Sequence, residues 1–319
     1  MYEAWDDHLH RDVAIKLLDP AGGVPATWHE ARTLEQLRSD YLLPVLNADV
    51  IAESDIRYIT TPIMRNGDLE HEATDVGLPA SRAVAWGIQV AHAVERVHDA
   101  GLLHRDIKPG NAFVTDDRAV LLGDLGKAVA FTPGTRAPRD GTWATLAPET
   151  APDDGYCTVA SDIYSLGATV FYLLAGCYPV DLSVGPISVQ AAIVAGKRRR
   201  LMDVAPHVSR SLRAIVEKAM AADPDQRHSS ALKFGNALAG ASLHARDWSR
   251  LVHPGHMYCV TGRANGTAGP VSVCAVADGG LVAVQARLAS GRRPPGVSDQ
   301  TVRSGDLGKT LRALAAKLG

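Results

Sequence analysis

The sequence predicts an α+β protein in three parts: a strand-rich stretch over 1–66, a mainly helical one over 67–240, and a small α+β appendage over 241–319. Three observations carry this prediction. Short apolar runs at 13–18, 41–50 and 56–63 are separated by turn-rich segments, as strands are. Apolar residues then recur at helical spacing over 81–98 and again over 161–175. Beyond Ala241, residues 257–261, 271–277 and 281–286 read as strands, Asp278-Gly279-Gly280 as a hairpin turn, and 305–318 as an amphipathic helix.

A chain of 319 residues can bury a substantial core. Its 46% apolar and 21% charged content is that of an ordinary globular protein, and a formal net charge of −2 gives no reason to expect a nucleic-acid or membrane-surface partner. The four cysteines (157, 177, 259 and 274) lack close paired spacing, which argues for reduced thiols in a cytoplasm. The start Met1-Tyr2-Glu3-Ala4-Trp5-Asp6-Asp7 is acidic and has no apolar core, so no signal peptide is expected. No window reaches the roughly 18 apolar residues of a membrane span. A soluble, cytoplasmic protein is expected.

Taken in order, the run 13–18 has one lysine, Lys16, in its middle; by itself it reads as an edge strand with a snorkelling side chain. Residues 20–25 form a Gly/Pro-rich turn. Thr27 and Glu30 make a capping box that opens a helix, and Glu30 shares a face with Leu34 and Leu37 while Glu35 points elsewhere. Glu53-Ser54-Asp55 splits the next two strands, and the turn Asn66-Gly67 marks the first boundary. The helix over 81–98 carries Val84, Ile88, Ala91 and Val94 on one stripe, a core face, until Gly101 breaks it.

The chemistry follows that break. Leu103-His104-Arg105-Asp106-Ile107-Lys108-Pro109-Gly110-Asn111 is followed, 13 residues after Asn111, by Asp124-Leu125-Gly126. Phosphoryl transfer needs a carboxylate to orient the attacking hydroxyl, a cation on the migrating phosphate, and oxygen ligands for a metal. Asp106, Lys108, Asn111 and Asp124 supply one candidate for each part. Between them, Phe113-Val114, a turn at Asp116-Asp117-Arg118 and Ala119-Val120-Leu121-Leu122 read as a hairpin that folds Asp124 back beside Asn111, so that both can share one ion.

This stretch resembles the catalytic and metal-binding loops of eukaryotic-type protein kinases, H-R-D-x-x-x-x-N…D-F-G. The resemblance, to the eukaryotic-like serine/threonine kinases of bacteria, covers about residues 2–240 and implies a bilobal fold with a sheet-rich small lobe and a mainly helical large lobe. It implies that Val13-Ala14-Ile15-Lys16 is the strand of V-A-I-K, with Lys16 on the α- and β-phosphates of ATP and Glu30 as its partner. Thr61 would guard the adenine pocket, and Pro62 to Met64 would present backbone groups to the adenine edge. Asn111 and Asp124 would bind Mg²⁺, Asp106 would orient the hydroxyl of a protein substrate, and Lys108 would stabilise charge on the γ-phosphoryl group. His104 and Arg105 complete the triplet around Asp106.

Residues 129–140 read as a mobile loop, and Gly141-Thr142-Trp143-Ala144-Thr145-Leu146-Ala147-Pro148-Glu149 resembles the G-T…A-P-E close of an activation segment. By resemblance, Thr142 bonds Asp106 and Lys108, a contact associated with Ser/Thr specificity. Asp162 at a helix start reads as a cap; the resemblance implies that it also braces the catalytic loop, and that Arg227 of Asp223-Pro224-Asp225-Gln226-Arg227 pairs with Glu149. Arg105 suggests control by phosphorylation, with Thr132 and Thr135 as acceptors.

Three departures and two surplus motifs complete the reading. The Gly-rich loop that precedes the lysine strand in the family is not in this chain, and residues 1–6 look like the strand that follows it; an upstream start is the favoured explanation, a truncation the other. Leu125 stands where Phe is usual and can pack similarly. The role of 241–319 is unassigned. A truncated or pseudokinase scaffold and a small-molecule phosphotransferase like those acting on aminoglycosides are the competing functions; Lys108 and the G-T…A-P-E segment oppose the latter. Lys197-Arg198-Arg199-Arg200 reads as a solvated face. His253, His256, Cys259 and Cys274 offer zinc-type ligands, but histidines flanking Pro-Gly and cysteines inside strands are more often structural.

Overall fold

Four strands, β1 (Tyr2–Asp6), β2 (Arg11–Leu17), β3 (Asn47–Ile51) and β4 (Ile56–Pro62), form one antiparallel sheet in the order β1-β2-β4-β3. In this computed structural model the described residues are 1–8, 10–18, 29–37, 39–51, 54, 56–264 and 269–319, the side chains of 29, 30, 31 and 34 excepted. Val13 and Ile59 are the fully buried residues of the central strands, and Lys16 pairs in register with Ile59. Helix α1 (His29–Leu37) follows; the expected cap at Thr27 lies outside the described residues.

The expected strand over 41–50 begins only at Asn47. Pro44 cannot donate to a ladder, and residues 41–46 instead run irregularly against the helical part. There Leu43 N donates to Leu122 O at 2.9 Å, Leu122 N donates to Tyr41 O at 2.9 Å, and Leu42 is buried in the large core.

That core is built around α2 (Leu69–Ala73), α3 (Ala80–Asp99), α4 (Val159–Ala175), α5 (Pro186–Val194), α6 (Leu201–Val204), α7 (Arg210–Ala219) and α8 (Ala231–Ala239). The buried face of α3 differs from the expected stripe. Ala91 and Val94 are buried, but Val84 and Ile88 are only half-buried, and Ala83, Trp86, Gly87, Val90 and Val97 go inside. The small residues Ala83, Gly87 and Ala91 at four-residue spacing let neighbouring helices approach. A Cβ on Gly87 would meet Val170 Cγ2 at 2.9 Å and Leu238 Cδ1 at 3.1 Å. α4 starts on a capping box between Thr158 and Ser161 and stops at Gly176, whose φ of +69° is the left-handed helix end that glycine tolerates. The basic run is spent locally: Arg198 pairs with Glu217, Arg199 with Asp181 and Arg200 with Asp203.

The last part is a five-stranded antiparallel sheet in sequence order, β11 (Arg246–Leu251), β12 (His256–Ala264), β13 (Val271–Asp278), β14 (Leu281–Leu288) and β15 (Gln300–Val302), packed on α9 (Leu307–Leu318). (Strands β5 to β10 belong to the site described next.) Its separate core joins Trp248, Val260, Val273, Ala275, Val282 and Val284 to Leu311 and Leu314. Trp248 to Leu251, outside the strands expected from the sequence, belong to strand β11, with Trp248 fully buried. The appendage docks on the helical part. Ser81 N at the start of α3 donates to Asp247 Oδ1 at 3.2 Å, the Tyr258 hydroxyl and His207 Nδ1 are hydrogen-bonded at 2.7 Å, and Arg312 Nη1 donates to Met202 O at 3.0 Å. No helix among the described residues is long and apolar enough to cross a membrane.

Candidate active site

The site is built on short strands that the helices hold. β5 (Leu102–Leu103) leaves α3 through Gly101, whose φ is +73°, and pairs with β8 (Val129–Ala130). β6 (Ala112–Val114) and β7 (Val120–Leu122) form the expected hairpin, with Ala112 opposite Leu122. One bond beyond the ladder, Gly123 N donates to Asn111 O at 2.9 Å. The hairpin thus sets Asp124 beside Asn111. Two non-glycine residues here are left-handed, Arg105 (φ +64°) and Asp124 (φ +58°). Such backbone is costly, and the surrounding bonds hold it. Leu125 is fully buried in the main core.

Asp106 is the centre of the polar cluster and is 3% exposed. Its Oδ1 accepts from Thr142 Oγ1 at 2.6 Å, and its Oδ2 accepts from Lys108 Nζ at 3.1 Å and Asn111 Nδ2 at 3.2 Å. Lys108 Nζ also donates to Thr142 Oγ1 at 3.1 Å, so one hydroxyl accepts from the lysine and donates to the carboxylate. Burial pushes the Asp106 carboxyl up, but the Thr142 hydroxyl and the charges of Lys108 and Lys127 outweigh it and hold the group below its ordinary value. Asp106 is therefore an ionised acceptor at neutral pH.

Lys16 Nζ donates to Asp124 Oδ1 at 2.6 Å, joining the sheet to the hairpin end. Glu30 stands in the first turn of α1, and its side chain lies outside the described residues. Thr61 is buried and Pro62 closes β4, while Met64 O accepts from Gly67 N at 3.0 Å in the turn that follows.

Behind the loop, Asp162 is buried in the first turn of α4. Its Oδ2 accepts from His104 N at 2.8 Å and contacts His98 Nε2 at 2.8 Å, and its Oδ1 accepts from Arg105 N at 3.0 Å. Burial disfavours the charge, but the bonds from His98 and the His104 amide win and lower the carboxyl below its ordinary value. His104 is itself fully buried, and desolvation lowers its pKa, so the imidazole is neutral and its Nδ1 accepts from Asp106 N at 3.3 Å. Glu149 and Arg227 form a bidentate pair of 2.6 and 2.7 Å, with the Tyr164 ring 5.0 Å from the guanidinium carbon.

Thr132 and Thr135 are exposed and bonded to each other, Thr135 Oγ1 donating to Thr132 O at 2.7 Å. Arg105 is bonded elsewhere: its Nε donates to Lys127 O at 2.6 Å and its Nη1 donates to Pro138 O at 3.0 Å. The segment 129–140 holds two short strands, β8 and β9 (Ala137–Pro138), the latter paired with β10 (Tyr156–Cys157).

Two residues in this cluster escaped the sequence reading. Lys127 Nζ lies 3.6 Å from Asp106 Oδ1 and 3.3 Å from Asp140 Oδ1. His98, which looked like the ordinary end of a core helix, is the side-chain partner of Asp162. Their only sequence signal was proximity to the two motifs.

The donor set suits a small divalent cation. Asn111 Nδ2 is fixed on Asp106 O at 2.8 Å, which turns its carbonyl oxygen the other way, and Lys16 bonds only one oxygen of the Asp124 carboxylate. An amide carbonyl and a carboxylate are the hard oxygen ligands such an ion takes.

The family model described as protein kinase domain matches residues 1–237. A probable serine/threonine-protein kinase of Clostridium perfringens is 29% identical over 240 residues, covering 72% of this chain and 34% of its own. The serine/threonine-protein kinase PknJ of Mycobacterium tuberculosis is 33% identical over 195 residues, 58% of this chain and 32% of its own. The serine/threonine-protein kinase drp72 of Corynebacterium efficiens is 30% identical over 254 residues, 76% of this chain and 48% of its own. The chain thus spans about a third to just under a half of the length of these relatives. With a family match over residues 1–237, and an Asp–Lys–Asn–Thr cluster centred on the buried Asp106 inside it, the chain belongs to the protein kinase domain family.

Proposed function

We propose that the chain is a serine/threonine protein kinase that moves the γ-phosphoryl group of Mg-ATP onto Ser or Thr hydroxyls of proteins. The observation that carries this reading is Asp106, an ionised and almost fully buried carboxylate held by Thr142, Lys108 and Asn111. In the proposed reaction the substrate oxygen forms a bond to phosphorus as the bond to the β–γ bridging oxygen breaks. Asp106 orients the hydroxyl and receives its proton, and Lys108 stabilises the negative charge on the transferred group. Lys16 holds the α- and β-phosphates, with Glu30 as its expected partner, while Thr61, Pro62 and Met64 border the adenine. Asn111 and Asp124 would hold Mg²⁺, which neutralises phosphate charge when bound. Most of the rate enhancement is positioning and preorganised charge.

The three proteins named above are called serine/threonine kinases, which supports the same substrate class here. The exposed hydroxyls of Thr132 and Thr135 are the proposed autophosphorylation sites, and Arg105 the proposed anchor for the phosphate. The test is transfer from Mg-ATP to mixed Ser-, Thr- and Tyr-containing peptides beside an aminoglycoside. Label on Ser and Thr peptides supports the proposal. Label confined to the aminoglycoside, or to Tyr, contradicts it.

A further inference from the structure

Four side chains of the appendage, none used in the proposed phosphoryl transfer, converge near one end of its sheet. His253, His256, Cys259 and Cys274 each bring one nitrogen or sulfur within 4.8 Å of the other three. His256 Nδ1 lies 3.0 Å from Cys259 Sγ, and His253 Nδ1 lies 3.5 Å from Cys274 Sγ. The two imidazoles stand edge to face, 5.2 Å between centroids.

The backbone explains how residues whose sequence spacing argued against a shared site come together. Residues three apart on a regular strand point to opposite faces, which would separate His256 from Cys259. β12 breaks its register between His256 and Tyr258: His256 faces Val276 while Tyr258 faces Ala275, so Met257 is an extra residue. This bulge returns His256 to the face of Cys259. Cys259 is paired directly with Cys274 on β13, which puts both sulfurs on that same face, opposite Val260, Val273 and the apolar core. His253 arrives by the turn His253-Pro254-Gly255-His256. There His256 N donates to His253 O at 3.1 Å, and Gly255 has φ +78°, the conformation that a Pro-Gly turn requires. Bulge, strand pair and turn each deliver one part of a single cluster.

We propose that these four residues are a zinc site. Two sulfurs and two imidazole nitrogens are the donor set of tetrahedral zinc, and with bonds of about 2.3 Å to sulfur and about 2.0 Å to nitrogen the ligand atoms sit roughly 3.4–3.8 Å apart. The spacings of 3.0 and 3.5 Å lie close to that range and none of the six exceeds 4.8 Å, so small side-chain rotations close the shell. Binding replaces one proton on each thiol by the ion and releases both to solvent; nothing is oxidised or reduced, and two thiolates balance the charge of the ion. Four protein ligands leave no open position. The ion therefore acts structurally, fastening the 253–256 turn to β12 and β13.

The test uses the full chain, expressed with zinc and purified under a thiol reductant without chelator. Metal analysis and native mass spectrometry are expected to give one zinc per chain. Cobalt(II) in its place should produce the visible absorption of a tetrahedral thiolate site. Because Cys259 is buried and its replacement disturbs packing, the exposed positions His253→Ala and His256→Ala are the informative variants. Each should weaken zinc binding at least about tenfold in competition with a chelator while leaving the circular dichroism spectrum unchanged. Zinc far below one equivalent in the reduced chain would overturn the proposal. So would unchanged affinity in both histidine variants, or a Cys259–Cys274 disulfide whose reduction restores no zinc uptake.

Discussion

Arg227 and Glu149, 78 positions apart, meet in a buried two-bond ion pair: Nη1 to Oε1 at 2.6 Å and Nη2 to Oε2 at 2.7 Å, with side chains 0% and 8% exposed. Arg227 Nε also donates to Ala221 O at 2.9 Å and its Nη1 to Ala160 O at 2.8 Å, and Ser161 Oγ donates to Glu149 Oε1 at 2.8 Å. The pair fastens the end of the segment after Thr142 to the start of α4 and to the loop before α8.

Removing one partner leaves the other charge buried without compensation. Arg227→Ala is expected to cost about 3–5 kcal/mol of stability in urea unfolding. Glu149→Gln keeps one acceptor oxygen but sets an amide NH2 against a guanidinium donor and leaves the Arg227 charge buried without a counter-charge, so it should cost a similar amount. A loss below about 1 kcal/mol for Arg227→Ala, the level of an exposed pair, would show that the clamp is not a stability element.

Thr142→Val removes the hydroxyl that both accepts from Lys108 and donates to Asp106. That hydroxyl helps hold the Asp106 carboxyl below its ordinary value, so its loss raises the carboxyl pKa. The acid limb of the pH–rate profile should therefore move to higher pH, and kcat should fall about 10²-fold with little change in KM for ATP. Thr142→Ser should restore both. A valine variant with the wild-type profile would remove Thr142 from the site.

Asp162→Asn tests the brace under the loop. Its folded carboxyl titrates below the ordinary value of 3.8, so its contribution is fully present above about pH 4 and is lost as pH falls through the folded value. The variant should lose about 2–3 kcal/mol at pH 7, the scale of hydrogen bonds to a charged group, and should show a flatter loss of stability below pH 4. Parallel stability curves for the two proteins would contradict this.

His207 gives a second pH dependence, at the junction with the appendage. Burial, with Arg250 adding to it, lowers its pKa from 6.5 to about 3. The unfolded chain takes up a proton below pH 6.5 that the folded one refuses, so stability drops as pH falls from 6.5 toward 3. In His207→Gln, melting temperatures between pH 7 and 5 should decline less steeply than in wild type. An equal decline would refute the assignment.

The loops that hold the candidate site were legible where they are local. His104 to Asn111, Asp124 to Gly126 and Gly141 to Glu149 are contiguous motifs, and each carries its resemblance without help from distant residues. Strand pairing was legible wherever alternation and turn chemistry agreed, as at Ala112–Val114 and Val120–Leu122. What was hidden depends on distant packing. Lys127 reaches Asp106 only because the left-handed Asp124 is followed by a tight 3₁₀ turn over Leu125–Lys127. Leu42 and Leu43 carry strand-like residues, yet Pro44 and the approach of Leu122 keep them irregular. In β11 only Trp248 is fully buried among Arg, Asp and Ser neighbours, so the strand had little apolar pattern to show. The bulge at Met257 left no mark that alternation could read.

Phosphate incorporation from Mg-ATP, followed by intact mass and peptide mapping of the chain and of Asp106→Asn, tests the central claim most directly. The account predicts added phosphate on Thr132 or Thr135 in the wild-type chain and none in the variant, with both chains equally folded. Equal phosphate in the two, or none in a wild-type chain that also shows no thermal shift with Mg-ATP, would contradict it.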